Sequence, residues 1–336
     1  MGVTADDSGR VLNIPDCRHV CYTVSGKAAG AKRRAFCRRS RPNPDGDVKM
    51  KDIPKIDLHI HSTVSDGTDA PEELLALVRK AGIGLFALTD HDAVKGCLRI
   101  RGLLAPGDPL FLNGVEFSCR DGEGKYHILG YGYDAEGPCV QSVADKGHRL
   151  RMAKTAARLD RLRTAFGFSF PEDEVRRLMA LDNPGKPHIG NLMVKYGYAP
   201  TREQAIREYI DRAKVPGEYV RPEEAIAGIL RGGGIPVLAH PPFGSGKETI
   251  VGNELDRRLR RLIDFGLRGA ECFYSGYTPQ IQAEMLSLAE KYGLYVTAGS
   301  DYHGKNKQVP LGDTHFDPSR RMPDGMRRFL EDVRFR

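Results

Sequence analysis

No stretch of this sequence reaches the roughly 18 consecutive apolar residues that a membrane-spanning helix needs, so a helical membrane protein is excluded. The N-terminus has no continuous apolar core of the kind a secretory signal carries. There is no Cys-x-x-Cys pair, and seven cysteines is an odd number, which argues against both a disulfide framework and a cysteine-bound zinc. A reducing cytoplasm is the compartment this composition predicts. No Gly-x-Gly-x-x-Gly follows the first strand-like run, which removes the dinucleotide fingerprint of a Rossmann sheet. What remains is a chain of 336 residues, 40% hydrophobic and 28% charged. That is an ordinary globular composition, long enough for one large core or two domains.

The net charge of +7 would suggest nucleic acid if it were spread over the chain. It is not. Residues 1–49 carry ten Lys/Arg against five Asp/Glu, and the remainder 41 against 39. The excess therefore belongs mainly to a basic leader with little that could pack. We read 1–49 as a disordered tail or as sequence upstream of a true start at Met50. A polybasic arm for RNA or DNA is the competing reading.

From Lys55 onward, short β-like runs alternate with helical stretches, the pattern of an α/β fold. KIDLHIH (55–61) has period two, with Ile56, Leu58 and Ile60 on one face and Asp57, His59 and His61 on the other. TDAPEELLALVRKAG reads as a helix capped by Thr68 or Asp69, with Pro71 in its first turn and Gly82 as its stop. LFALTDHD, FLNGVEF, YHILGYG, IPVLAHP, GAECFYS and LYVTAGSDYHG supply further strands. About seven strands with intervening helices favour a closed or distorted barrel. Between Tyr133 and about Tyr219 the strand pattern gives way to helical sequence. The expected organisation is barrel over 50–133, a helical insertion domain over 134–219, and barrel again over 220–336. Residues 140–166 within the insertion hold seven Lys/Arg and two Asp/Glu. That is either a solvated helix face or a positive wall over a phosphorylated substrate.

Polar residues fall where barrel enzymes place their chemistry, at the C-terminal ends of strands. His59 and His61, two apart on a strand, share one face and can hold one metal ion. Asp66 follows on a tight turn. His91 stands between two aspartates able to orient its ring. Glu116 ends a strand as a candidate bridging carboxylate, and His127, His240, Asp301 and His303 complete the set. Burying so many imidazoles and carboxylates without cations would cost many kcal/mol. Nitrogen and oxygen donors without thiolate suit manganese, iron or zinc, which points to a multinuclear hydrolytic site.

In order, DLHIHSTVSDGT, ALTDHDAVKG, GVEFS, YHILGY, VLAHP and TAGSDYHG resemble the motifs of the PHP (polymerase and histidinol phosphatase) superfamily of metal-dependent phosphoesterases, over residues 55–303. The inserted GKPHIGNLMVKYGYA and the EYV that follows look like the subgroup with a helical insertion, which acts on nucleotides and related phosphate esters. The resemblance implies a distorted (β/α)7 barrel and two or three divalent ions, manganese first, with iron or zinc as alternatives. It implies one ion on His59, His61, Glu116 and Asp301, and a second sharing Glu116 with His127 and His240. A third would lie on Asp66, His91 and His303. The implied reaction is hydrolysis of nucleotide phosphate monoesters, 5′-monophosphates or 3′,5′-bisphosphates, by a metal-activated water. For the rest of the substrate we select Lys186 and His188 in GKPHIG, then Arg149 and Arg221, with Tyr274 and Ser275 lining the pocket. Asp57 would stand behind the ligands.

The expected partner is thus a small phosphorylated substrate, a nucleotide, with short RNA as the alternative through a 5′–3′ exoribonuclease activity. Histidinol-phosphate phosphatase fits the insertion less well. A non-catalytic PHP-like module binding nucleic acid would have lost ligands, and none is lost here. A metal-dependent amidohydrolase shares the His-x-His opening, but its bridging lysine is replaced by Glu116. No membrane partner is expected, and no feature of the sequence specifies an oligomeric state.

Overall fold

The computed structural model describes residues 55–244 and 249–335; the basic leader, 1–49, lies outside them. Seven strands form one sheet in sequence order: β1 (Ile56–Ile60), β2 (Leu85–Leu88), β3 (Leu110–Arg120), β4 (Lys125–Tyr131), β5 (Ile235–Leu238), β6 (Gly269–Tyr274) and β7 (Tyr295–Gly299). The sheet curls until its edges almost meet. The His61 amide donates to the Tyr302 carbonyl at 2.9 Å, and the Tyr302 amide to that of His59 at 3.3 Å, so the segment after β7 closes against β1. The result is a nearly closed α/β barrel.

Helices α1 (Pro71–Lys80) and α2 (Lys95–Leu103) alternate with the first three strands, and α8 (Gly252–Asp264), α9 (Pro279–Lys291) and α10 (Asp324–Asp332) follow β5, β6 and β7. Pro71 takes the first position of α1, so the cap falls on Ala70, whose amide donates to Glu73 at 2.8 Å. Thr68 and Asp69, the caps expected from sequence, instead receive hydrogen bonds from the Lys305 amide and the Tyr302 hydroxyl, both at 2.9 Å. They tie the start of α1 to the loop after β7.

One strand departs from the repeating β/α pattern. β4 runs antiparallel to both neighbours, while all other pairings are parallel. A tight turn over Asp121–Gly124, closed by the Asp121 amide on the Gly124 carbonyl at 3.0 Å, joins β3 to β4 with no helix between. The reversal puts the beginning of β4, not its end, beside the C-terminal ends of the other strands. It also brings the chain out of β4 at the opposite end of the barrel.

From there α3 (Pro138–Phe166) climbs 29 residues, about 43 Å at 1.5 Å per residue. Its first turns bury Val140, Val143 and Ala144 in the barrel's core against α7 (Pro222–Arg231). A Cβ on Gly228 would lie 2.6 Å from Val143, so only glycine admits that approach. Its far end buries Leu162 in a separate cluster. That cluster includes Leu178 of α4 (Glu172–Met179) and Ile189 and Met193 of α5 (Lys186–Lys195). It also takes Ala205 and Ile210 from a π-helical turn (Ala205–Ile210) that continues the short α6 (Arg202–Gln204). No helix among the described residues is long and apolar enough to cross a membrane.

Candidate metal centre

Strand geometry aims the polar face of β1 into the barrel. His59 sits within the strand and His61 just beyond it, both completely buried. The loop that follows is pinned by Asp90, which accepts from the Ser62 amide and the hydroxyls of Ser62 and Ser65, each at 2.7 Å. This sets Asp66 opposite His303, 3.2 Å from its Nε2. His91 follows β2 and pairs as an isolated bridge with Glu116 of β3. His127 stands near the start of β4, where only the reversed strand could deliver it. His240 follows β5, and Asp301 and His303 follow β7.

Glu116 is the hub. Its Oε2 faces His59 Nε2 at 3.2 Å, His61 Nε2 at 3.1 Å and His91 Nδ1 at 3.1 Å. Its Oε1 faces His127 Nδ1 at 2.9 Å and His240 Nε2 at 3.3 Å. Asp301 Oδ1 lies 3.4 Å from His59 Nε2 and 3.3 Å from His61 Nε2. The nine residues singled out from the strand ends therefore converge on one place.

Close as they are, eight of their buried atoms have no hydrogen-bond partner: His59 Nε2, His61 Nε2, Asp66 Oδ1, His91 Nδ1, both Glu116 oxygens, His127 Nδ1 and His240 Nδ1. Buried polar atoms are normally paired. All but His240 Nδ1, whose ring turns Nε2 to Glu116, face one another across the cluster without pairing, which is the disposition of cation ligands. Three sets have one donor atom each within mutual reach: His59, His61, Glu116 and Asp301; His61, Asp66, His91 and His303; and His91, Glu116 and His127. The first set coincides with that implied by the resemblance. In the third, His91 stands where the resemblance implies His240.

Electrostatics agrees with the geometry. Burial opposes ionisation of Asp66, Glu116 and Asp301, yet the surrounding imidazoles, and Lys307 beside Asp301, hold all three well below the usual carboxylate range. Burial alone would depress His61, but Asp301 and Glu116 push it up to about 9. That balance rests on protonated imidazoles; divalent ions bound by the same nitrogen and oxygen donors would supply the positive charge in their place.

The surrounding shell is equally specified. Asp57 accepts from the Ser300 hydroxyl at 2.6 Å and the amides of Ser300, Gly312 and His59, tying β1 to β7; burial raises it to about 6 against those bonds. Lys307 Nζ and the Tyr274 hydroxyl reach Asp301 Oδ2 at 2.6 and 2.9 Å, leaving Oδ1 to face the histidines. Three of the four described non-glycine residues with positive φ, Asp92, His240 and Asp301, lie at these strand ends, where backbone strain collects at working sites.

Two cavities open from the centre. One, of about 500 Å³, is bounded by His240, Asp301, His303, Phe243, Tyr274 and Lys307. The other, of about 400 Å³, borders Asp66, His91 and His127 and runs under α3, lined by Arg151, Lys154, Arg158, Lys125 and Lys186. Arg151 is committed to Asp92 at 2.7 Å, and Lys186 to Asp211 at 2.7 Å. Lys154 and Arg158 have no ion pair among the described residues. Lys154 is 8% exposed, with Nζ 3.0 Å from the centre of the Tyr219 ring. Burial, with Arg158 and Arg151 nearby, brings it down to about 7.

Of the residues selected for the rest of the substrate, Lys186 lines this cavity and Tyr274 the other. His188 accepts the Gly185 amide at 3.0 Å and caps α5. Ser275 donates to the Ser300 carbonyl at 2.9 Å. Arg149 and Arg221 are exposed outside both cavities, Arg221 paired with Glu223. Arg149 precedes Arg151 by two positions, which turns it about 200° around the helix. Positions 151, 154 and 158 share one face, and this helical period was the signal that sequence reasoning left unused. Glu271, absent from the sequence reading, was marked by being the one acid within the apolar run GAECFY.

No family model matches the chain. It is 32% identical over 268 residues to a phosphoribosyl 1,2-cyclic phosphate 1,2-diphosphodiesterase of Eggerthella lenta, covering 76% of this chain and 96% of that one. It is 30% identical to a 3′,5′-nucleoside bisphosphate phosphatase of Chromobacterium violaceum, covering 74% and 87%. A 5′-3′ exoribonuclease of Salmonella typhimurium is 29% identical, with 76% and 87% covered. Among solved structures, one assigned as a metal-dependent phosphoesterase of Bifidobacterium adolescentis superposes with a TM-score of 0.70 at 28% identity, over 82% of this chain and 96% of that one.

Proposed function

Because the chain belongs to the PHP family of metal-dependent phosphoesterases, and so is a hydrolase of phosphoester bonds, we propose that it removes phosphate from a nucleotide carrying two phosphates, a nucleoside 3′,5′-bisphosphate. The observation that carries the reading is the cavity beneath α3. It shares Asp66, His91 and His127 with the cluster and is lined by Lys154 and Arg158, neither of which forms an ion pair among the described residues. A monoester reacting at the cluster can place a second phosphate there.

His59, His61, Glu116 and Asp301 would hold one ion, His61, Asp66, His91 and His303 another, and Glu116, His127, His91 and His240 the remaining one. Bound divalent ions, with manganese the first choice, supply Lewis acidity for phosphoryl oxygens and lower the pKa of a coordinated water toward neutrality. The chain's own contribution is placement. Asp90 fixes the turn that carries Asp66. Lys307 and Tyr274 hold one oxygen of Asp301, so that the other faces inward. Arg151 secures α3 to Asp92, and with it Lys154 and Arg158. The reacting phosphate thus meets a site whose charges are already in position.

The test is hydrolysis by Mn²⁺-loaded protein, read as phosphate release from adenosine 3′,5′-bisphosphate and 5′-AMP and as mononucleotide release from a short 5′-phosphorylated RNA, beside a His59→Ala/His61→Ala control. We expect release to vanish in the control and kcat/KM for the bisphosphate to exceed that for AMP by about tenfold, the effect of one added charge-assisted contact. RNA as the best substrate would replace this reading with the exoribonuclease. If wild-type protein hydrolyses none of the three, the nucleotide assignment fails.

A further inference from the structure

We infer that Glu271, which belongs to none of the ligand sets, is a positioning residue that fixes two of the ligands, His59 through its ring and His240 through its backbone. The inference rests on the metal reading above.

Glu271 lies in the middle of β6, completely buried, with apolar neighbours along the strand. A carboxylate in such a place needs partners for both oxygens, and it has them. Oε1 lies 3.0 Å from His59 Nδ1, and Oε2 accepts the His240 backbone amide at 2.9 Å. A carboxylate only accepts, so the proton between Glu271 and His59 belongs to Nδ1. That leaves Nε2 as the donor atom facing Glu116 and Asp301, the direction a metal ligand requires. The second contact acts on a different problem. His240 has φ 28° and ψ 56°, a conformation that residues with side chains avoid. The Glu271 carboxylate holds the amide of that strained residue, and the same turn presents His240 Nε2 to Glu116 Oε1.

An independent observation comes from β7. A Cβ on Gly299 would lie 2.2 Å from His59 Cβ and 2.3 Å from Glu271 Oε1. The φ of Gly299 does not demand glycine; the space does. The sequence leaves out a side chain at the point where one would drive the carboxylate and the imidazole apart. The Tyr277 hydroxyl, donating to the Glu271 carbonyl at 3.2 Å, further anchors the strand.

Glu271→Gln tests this with little change of volume, because the amide exchanges one acceptor for a donor. Whichever way it turns, a donor then meets either His59 Nδ1–H or the His240 amide. Full-length protein, stripped of metal and titrated with Mn²⁺ against a chelating indicator, should show roughly 10- to 100-fold weaker binding at one ion in the variant, with the thermal midpoint of the metal-free protein little changed. Long-range ¹⁵N–¹H spectra of Zn²⁺-loaded wild type require no variant. They should place a slowly exchanging ring proton on His59 Nδ1. Affinity within twofold of wild type in Glu271→Gln, or a His59 ring protonated on Nε2, overturns the inference. Wild-type protein that binds no Mn²⁺ would overturn the metal reading instead, so the two failures are told apart.

Discussion

At the scale of single residues, Lys154 shows how placement changes the behaviour of an ordinary side chain. Arginine keeps its charge in almost any surroundings, whereas a buried lysine does not. Unfolded, the ammonium loses its proton near 10.4; in the folded chain burial brings this down to about 7. Folding therefore releases a proton between those limits. The cost of keeping the charge buried is full below about pH 7 and fades as pH rises toward 10. Anion binding has the opposite dependence, since it needs the charged form. Sulfate keeps its charge across this range and serves as the probe. Its affinity for metal-stripped protein should fall on the order of tenfold between about pH 6 and about pH 8.5, and Lys154→Met should flatten the profile. Isothermal titration at both pH values checks this, and a flat wild-type profile would contradict it.

At the scale of elements, α3 carries the argument. Its cations line the cavity at 151, 154 and 158 while Arg149 faces away, so Arg158→Gln should raise KM for the bisphosphate about tenfold, with kcat within about twofold. Arg149→Gln should leave both unchanged, and steady-state kinetics on the two variants separates them. Much of this architecture was legible beforehand, and the reason is physical. The period of two in KIDLHIH commits Asp57, His59 and His61 to one face whatever the fold. A polar motif directly after a run of four to eight apolar residues reads as a strand end. The direction of β4 was hidden because YHILGYG reads as the same strand either way up; only the turn-forming DGEG before it carried the information. Arg149 and Arg221 were chosen by charge without regard to helical phase or to a neighbour such as Glu223. The Glu116 hub was legible as an acid at a strand end, but the distances to five histidines required the closed barrel.

At the scale of the whole molecule, the centre draws on β1, β3 and β4 and on the segments following β1, β2, β5 and β7, so any ion bound there joins parts of the chain far apart in sequence. Ions that bind only the folded form stabilise it by about 2.7 kcal/mol per site at a hundredfold excess over Kd. Chelation should therefore lower the thermal midpoint by several degrees, with Mn²⁺ restoring it; an unchanged calorimetric midpoint would show the ions to be energetically detached from the barrel. The reversal of β4 has a further consequence. It sends the chain away from the centre before α3 returns, so the residues between β4 and β5 contribute none of the nine converging groups, yet they provide Arg151, Lys154, Arg158 and Lys186. On the function proposed above, reaction and recognition are thus inherited on separate stretches of one gene. A lineage can rewrite what is recognised between residues 132 and 234 while leaving untouched the machinery that breaks the bond.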